Sequence, residues 1–139
     1  MSIELLKAAK AAAANAHAPY SRFAVGAALL LSDGAIVTGC NFENASLGLS
    51  LCAETVALAT SNAQGRLRDV REIAVVGGKM PVRPCGRCRQ VLNEAAQLAR
   101  IDLIVHCASA DLSAVESFRL SDLLPHPFGP ADLGLVQDD

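Results

Sequence analysis

The stretch EIAVVGGKMPVRPCGRCRQVLNEAAQLARIDLIVHCA, residues 72–108, decides how this chain folds. Its opening, Glu72–Gly78, is short, apolar and β-branched, which reads as a buried strand. Pro81 to Pro84 reads as loop, because proline withholds the amide hydrogen that a ladder needs. Cys85 to Ala99 reads as a long helix, and Ile101 to Ala108 as a second strand. Strand, helix and strand at this spacing make a crossover unit, whose two strands lie parallel and adjacent.

Upstream, FAVGAALLL (23–31) and AIVTG (35–39) flank Asp33-Gly34, so a β-hairpin turns there. The alanine-heavy run Ala8–Ala14 favours helix, and Pro19 stops it. NFENASLGL (41–49) is small, polar and irregular, hence a loop. A further helix is predicted from about Cys52 to Asn62, ending near Gly65. SFRLSDLLP (117–125) reads as a short strand and one helical turn, followed by PFGP (127–130). The main order is therefore α-β-β-α-β-α-β-α: an α/β protein with a mixed sheet and helices on its faces. No linker, repeat or low-complexity run divides residues 1–139, so one domain is expected.

The bulk composition excludes some classes. Hydrophobic residues are 52% and charged residues 19%, which suits a chain with a sizeable core. A formal charge of −2 gives no basic face for nucleic acid, so none is expected as partner. No apolar stretch reaches the roughly 20 residues of a membrane span, so no membrane partner is expected either. The opening MSIELLKAAK lacks the apolar core of a secretion signal, which makes an intracellular, cytoplasmic location the default. Five cysteines, an odd number, argue against a disulfide framework and for metal ligation or catalysis.

Cys52 stands at one predicted helix start, and Cys85 and Cys88 stand one turn apart at the other. Helix N-termini carry unpaired N–H groups and a positive dipole end, both of which favour thiolate. Three thiolates are three of zinc's usual four ligands, and the fourth place separates structural from catalytic sites. Cys40 or Cys107 in that place would close the site; both, however, lie in strand-like surroundings. PCGRC alone leaves a redox pair open as well. Glu54, two residues past Cys52, is poorly placed to ligate beside it. It is well placed to exchange protons with a metal-held water, whose pKa zinc lowers to about 7. The histidines His17, His106 and His126 are isolated and read as surface or satisfied core residues.

C-A-E at 52–54 followed by P-C-x-x-C at 84–88 resembles the zinc nucleoside deaminase signature. YSRFAVGAALL, NFENAS, PCGRCRQVLNE and LLPHPFGP extend the likeness across almost the whole chain, to the small homotetrameric cytidine deaminases. The resemblance implies a three-layer α-β-α fold with about five strands. It implies one Zn²⁺ per chain on Cys52, Cys85 and Cys88, with Glu54 as acid–base, and cytidine and 2′-deoxycytidine as substrates in pyrimidine salvage. Asn41 and Glu43 would hold the ribose, and Phe23 would pack beside the nucleoside. The backbone at Ala45 and Ala53 would read the pyrimidine edge, and Phe128 would stack on the base from a neighbouring subunit.

Two positions depart from that pattern. Thr55 stands where this type commonly has arginine, so a thiolate-compensating charge is missing unless Arg87, Arg89 or the helix dipoles supply it. Leu47 stands where tyrosine is common near the sugar, which removes a hydroxyl. Deamination of a blasticidin-type nucleoside and a non-catalytic zinc-stabilised module stand as alternatives.

Overall fold

A computed structural model describes residues 3–136. The crossover is present. Strand β3 (Val70–Gly77) and strand β4 (Ile104–Ala108) pair in parallel, Ile73 opposite Val105 and Val75 opposite Cys107, with helix α3 (Gly86–Ala99) between them. Strand β1 (Val25–Leu31) pairs antiparallel with both β3 and β2 (Ile36–Cys40). The hairpin turns at Gly34, whose φ of 88° suits a residue without a side chain. Strand β5 (Val115–Arg119) lies antiparallel to β4, completing a mixed sheet ordered β2-β1-β3-β4-β5.

Side-chain alternation sorts the sheet into two apolar faces. Ala27, Leu29, Leu31, Ile73, Val75, Val105 and Cys107 point to helix α2 (Ala53–Ala63) and α3, meeting Ala57, Leu58, Leu92 and Ala95. Ala28, Ala74, Val76 and Ala108 point the other way, towards helix α1 (Ile3–Ala13) and its Leu5, Leu6 and Ala9. The architecture is thus three layers. Burying each leucine of that α1 stripe stabilises the fold by about 1.5–3 kcal/mol. Leu5, Leu6 and Ala9 also explain why α1 starts earlier than the alanine run alone suggests.

Two glycines set how closely helices approach the sheet. At Gly26 a methyl group would lie 1.8 Å from the Ala9 carbonyl oxygen, so α1 rests directly on β1. At Gly39 it would lie 2.4 Å from the Ala57 amide nitrogen and 2.8 Å from the Ala53 carbonyl oxygen. Helix α2 is therefore pressed onto β2 at the turn of helix that follows Cys52 and Glu54.

Several boundaries differ from expectation, three of them for a clear local reason. β1 begins at Val25 because the Asn41 side chain takes over the hydrogen bonds of Phe23 and Val25. β4 begins at Ile104 because Ile101 still belongs to the helix end: Arg100 adopts a left-handed conformation (φ 59°), and the Ile101 amide donates to the Ala96 carbonyl at 3.1 Å. β5 begins at Val115, two residues early, where its alternating side chains pair with Ala108. Beyond it, one short helix α4 (Leu120–Leu123) leads to the tail, whose Gly129 lies against Asn93 and Gln97 of α3.

His106 is the satisfied core histidine expected. It is 4% exposed, with Nδ1 2.7 Å from Ser117 Oγ and Nε2 2.7 Å from Glu72 Oε1. His17 and His126 are exposed.

The β4–β5 turn carries a pH-dependent contribution. Asp111 Oδ1 accepts from the Ser113 amide (3.0 Å) and from the hydroxyls of Ser113 (2.7 Å) and Ser109 (2.8 Å). These bonds, the Ser113 amide foremost, hold the carboxyl down at about 2. A depressed carboxyl stabilises the fold above its usual value near 3.8 and loses that contribution as pH falls through about 2. An Asp111→Asn variant should therefore be less stable than the parent in denaturant titrations at pH 7. The gap should close towards pH 2; one that persisted there would assign the effect to shape instead of charge. Exposure keeps the effect small.

Candidate metal centre

Two helix starts meet beside Val25, the first residue of β1. Cys52 is the N-cap of α2 (φ −74°, ψ 156°) and Cys85 the N-cap of α3 (φ −66°, ψ 167°). Neither thiol makes a capping hydrogen bond of ordinary geometry to its own helix, and both residues line the cavity between the two helix starts. Cys88 follows one turn into α3 and is fully buried. The three Sγ atoms lie within 4.8 Å of one another, with Cys52 and Cys85 at 4.0 Å. Sulfurs at three corners of a zinc tetrahedron stand roughly 3.8 Å apart, so the spacing fits. Neither Cys40 nor Cys107 joins this group among the described residues.

The electrostatics also call for a cation. Burial pushes the Cys52 and Cys88 thiols up, with the Glu54 charge adding to it. Burial opposes Cys85 too, but the polar groups around it, the Cys88 amide foremost, then the Cys88 and Cys52 thiols and the Arg87 amide, hold it below its usual value. A divalent ion supplies the charge that the surroundings withhold from the other two. The residues present fit zinc by donor type, spacing and charge.

The cations weighed for compensation are used elsewhere. Arg87 Nη1 donates to the Ser50 carbonyl at 3.3 Å. Arg89 donates to the carbonyls of Pro84 (2.8 Å) and Leu123 (2.9 Å), tying the cysteine loop to the segment after α4.

A cavity of about 290 Å³ opens onto the sulfurs, close to the small end of the usual range for ligand pockets, about 300–1,000 Å³. Phe23, Asn41, Cys52, Ala53, Glu54 and Cys85 line it, so six of the ten residues expected at the site share one space. Cys88 lies behind them. Glu54 is 4% exposed, and burial raises its carboxyl above the usual value. That is the environment of a group that holds and returns protons. Asn41 spans the rim, its Oδ1 accepting from the Val25 amide (2.9 Å) and its Nδ2 donating to the Phe23 carbonyl (2.8 Å). Glu43 Oε1 accepts from the Tyr20 and Ser21 amides at 3.0 and 3.1 Å. The Ser21 hydroxyl and these amides lower its carboxyl, so it stays ionised.

Glu43, Ala45, Leu47 and Phe128 do not line the cavity, although Glu43 bonds to its wall at Ser21. Ala45 and Leu47 are exposed in and beside the short turn Leu47–Leu49. Phe128 presents its ring outward, 61% exposed, while its carbonyl accepts from Gln90 (2.8 Å) and Asn93 (3.1 Å) of α3.

Sequence reasoning missed Ser21, Val25, Val75, Val82 and Arg83 as cavity walls. Arg83 could have been noticed, since it directly precedes Pro84-Cys85. Its Nη2 donates to both Glu116 oxygens at 3.0 and 3.2 Å, and its guanidinium lies 5.5 Å from the Phe118 ring centre.

The model of the cytidine and deoxycytidylate deaminase zinc-binding region matches residues 2–105. The chain belongs to this deaminase family. A cytidine deaminase of Halalkalibacterium halodurans is 46% identical over 130 residues, which cover 93% of this chain and 95% of that one. One from Mycobacterium tuberculosis is 48% identical over 124 residues, 88% and 85% of the two chains. Among solved deaminases, the crystal structure from Burkholderia pseudomallei superposes with a TM-score of 0.83 at 45% identity. That match covers 92% of this chain and all (100%) of the other. The three-layer arrangement and the zinc-binding cysteines are thus those of a deaminase of this family. Among the described residues no helix is long and apolar enough to cross a membrane.

Proposed function

We propose that this chain, as one catalytic domain over residues 1–139, hydrolyses cytidine and 2′-deoxycytidine to uridine or 2′-deoxyuridine and ammonia, with one zinc ion per chain. The observation that carries the reading is Glu54: a buried carboxyl in the same cavity as two sulfurs of the metal cluster. Zinc, when bound to Cys52, Cys85 and Cys88, supplies an acidified water and stabilises negative charge on its oxygen.

The chain's own residues do the rest. Glu54 accepts the proton of the attacking water and passes it to ring N3, which makes C4 electrophilic. The water oxygen bonds to C4, and Glu54 then takes the remaining proton from the new C4 hydroxyl to the exocyclic amine; the C4–N bond breaks, ammonia leaves and C4 becomes a carbonyl. One water proton ends on ring N3 and the other in ammonia, so Glu54 is regenerated. Burial raises the Glu54 carboxyl, which makes it a better base than an exposed glutamate. Phe23 packs beside the nucleoside. Asn41 and Glu43 hold the ribose, each keeping lone pairs or amide hydrogens beyond those used in the rim. The backbone near Ala53 and Ala45 reads the pyrimidine edge.

Phe128 faces away from its own cavity, which favours a role in a neighbouring copy, and the homotetramer is our reading of the assembly. Exposed Phe42, Leu47, Leu49 and Leu133 offer apolar area for it. The chemistry suits nucleoside salvage in the cytoplasm. The relatives described above are all named for cytidine, which favours cytidine over a blasticidin-type substrate.

Purified protein incubated with cytidine should release one ammonia per uridine formed. A zinc chelator should abolish the release and added zinc should restore it. Steady ammonia release after complete removal of zinc would refute the reading. So would turnover of blasticidin S with none of cytidine.

A further inference from the structure

Among the described residues, Thr55 touches a zinc-ligating sulfur from outside the cluster and its glutamate: its Oγ1 lies 3.6 Å from Cys88 Sγ. A helical threonine ordinarily turns its hydroxyl back to the carbonyl four residues earlier. Thr60 of the same helix does so, donating to Val56 at 2.8 Å, and Ser61 donates to the carbonyl three residues back, that of Leu58, at 2.8 Å. Thr55 sits in the first turn of α2, where the carbonyl four residues back is that of Leu51, outside the helix. Its hydroxyl is therefore available to Cys88, whose burial leaves no water to serve it.

We infer that Thr55 is a positioning residue of the metal centre, its hydroxyl donating to the Cys88 sulfur and drawing electron density from that ligand. This rests on the zinc reading above. The direction of the bond follows from valence: a sulfur bound to a metal has no hydrogen to give, so the hydroxyl must be the donor. The three sulfurs are consequently unequal. Cys85 sits among amide N–H groups, whereas Cys88, the deepest, relies on one neutral hydroxyl. The bond also restrains the Cys88 side chain against α2, so that the ligands of the two helices keep a common registration.

Cobalt(II) in place of zinc reports ligand electron density directly, through its sulfur-to-metal charge-transfer absorption. The parent and Thr55→Ser, which keeps the hydroxyl, should absorb at matching wavelengths. Thr55→Val, of the same shape without the hydroxyl, should shift the charge-transfer band to longer wavelength while the ligand-field bands stay those of a four-coordinate ion. It should also alter zinc retention against a competing chelator. An unshifted valine variant, or a serine variant shifted as far as valine, would overturn the inference. Should Thr55→Val and Thr55→Ala both lose their fold by circular dichroism, the residue is structural and the inference is likewise overturned. A parent that shows no charge-transfer band at all would instead remove the metal centre, and this inference with it.

Discussion

Replacing Glu54 by glutamine is expected to lower kcat for cytidine by about 10²–10⁴-fold or more, the range for removing a positioned acid–base group. The carboxyl is 4% exposed and lines the cavity beside Cys52 and Cys85, so no solvent carboxylate can stand in for it. Glutamine preserves the shape and can still bond to what surrounds it, but it cannot take up a proton. The zinc content and the fold should be unchanged, because Glu54 lies outside the three-sulfur group. Two measurements on one sample separate the roles: metal analysis should give the parental zinc, and the ammonia assay should give almost nothing. A Glu54→Gln enzyme working at the parental rate would show that some other group moves the protons.

Gly39→Ala is expected to weaken the fold and the metal centre together. The added methyl would meet backbone atoms of α2 at 2.4 and 2.8 Å, and backbone cannot rotate out of the way as a side chain can. Overpacking of this kind costs about 1–3 kcal/mol and more where nothing yields. Relief requires α2 to move off β2, and α2 begins directly after Cys52 and carries Glu54. The variant should therefore lose stability and zinc affinity together, with a lower denaturation midpoint and faster zinc release to a chelator. A parental midpoint would mean that the helix and strand are not in the close contact described. Destabilisation with unaltered zinc release would uncouple the helix seat from the metal.

These two residues mark what a sequence shows and what it hides. The crossover was legible because strand and helix differ in length, branching and proline placement over residues 72–108, and the observed β3, α3 and β4 follow that reading. The cysteines and Glu54 were legible because metal chemistry demands particular residue types at helix starts. Gly39 was not singled out: its importance comes from α2 lying across β2, a contact that no local pattern reveals. The same holds for Asn41, whose amide replaces strand pairing at the start of β1 and so trims the strand expected from Phe23. Arg83 was read only as loop because its partners, Glu116 and Phe118, sit on an edge strand more than thirty residues away. Thr55 was legible as a residue lacking charge, but its contact with Cys88 depends on how α2 and α3 pack.

The central claim is a zinc ion on three sulfurs with one remaining place open to solvent. X-ray absorption at the zinc edge of the purified, substrate-free protein tests it most directly. The account predicts one zinc per chain with three sulfur neighbours and a single oxygen, the oxygen signal changing when a cytidine analogue is added. Four sulfur neighbours, or protein that carries no zinc after preparation in its presence, would contradict it.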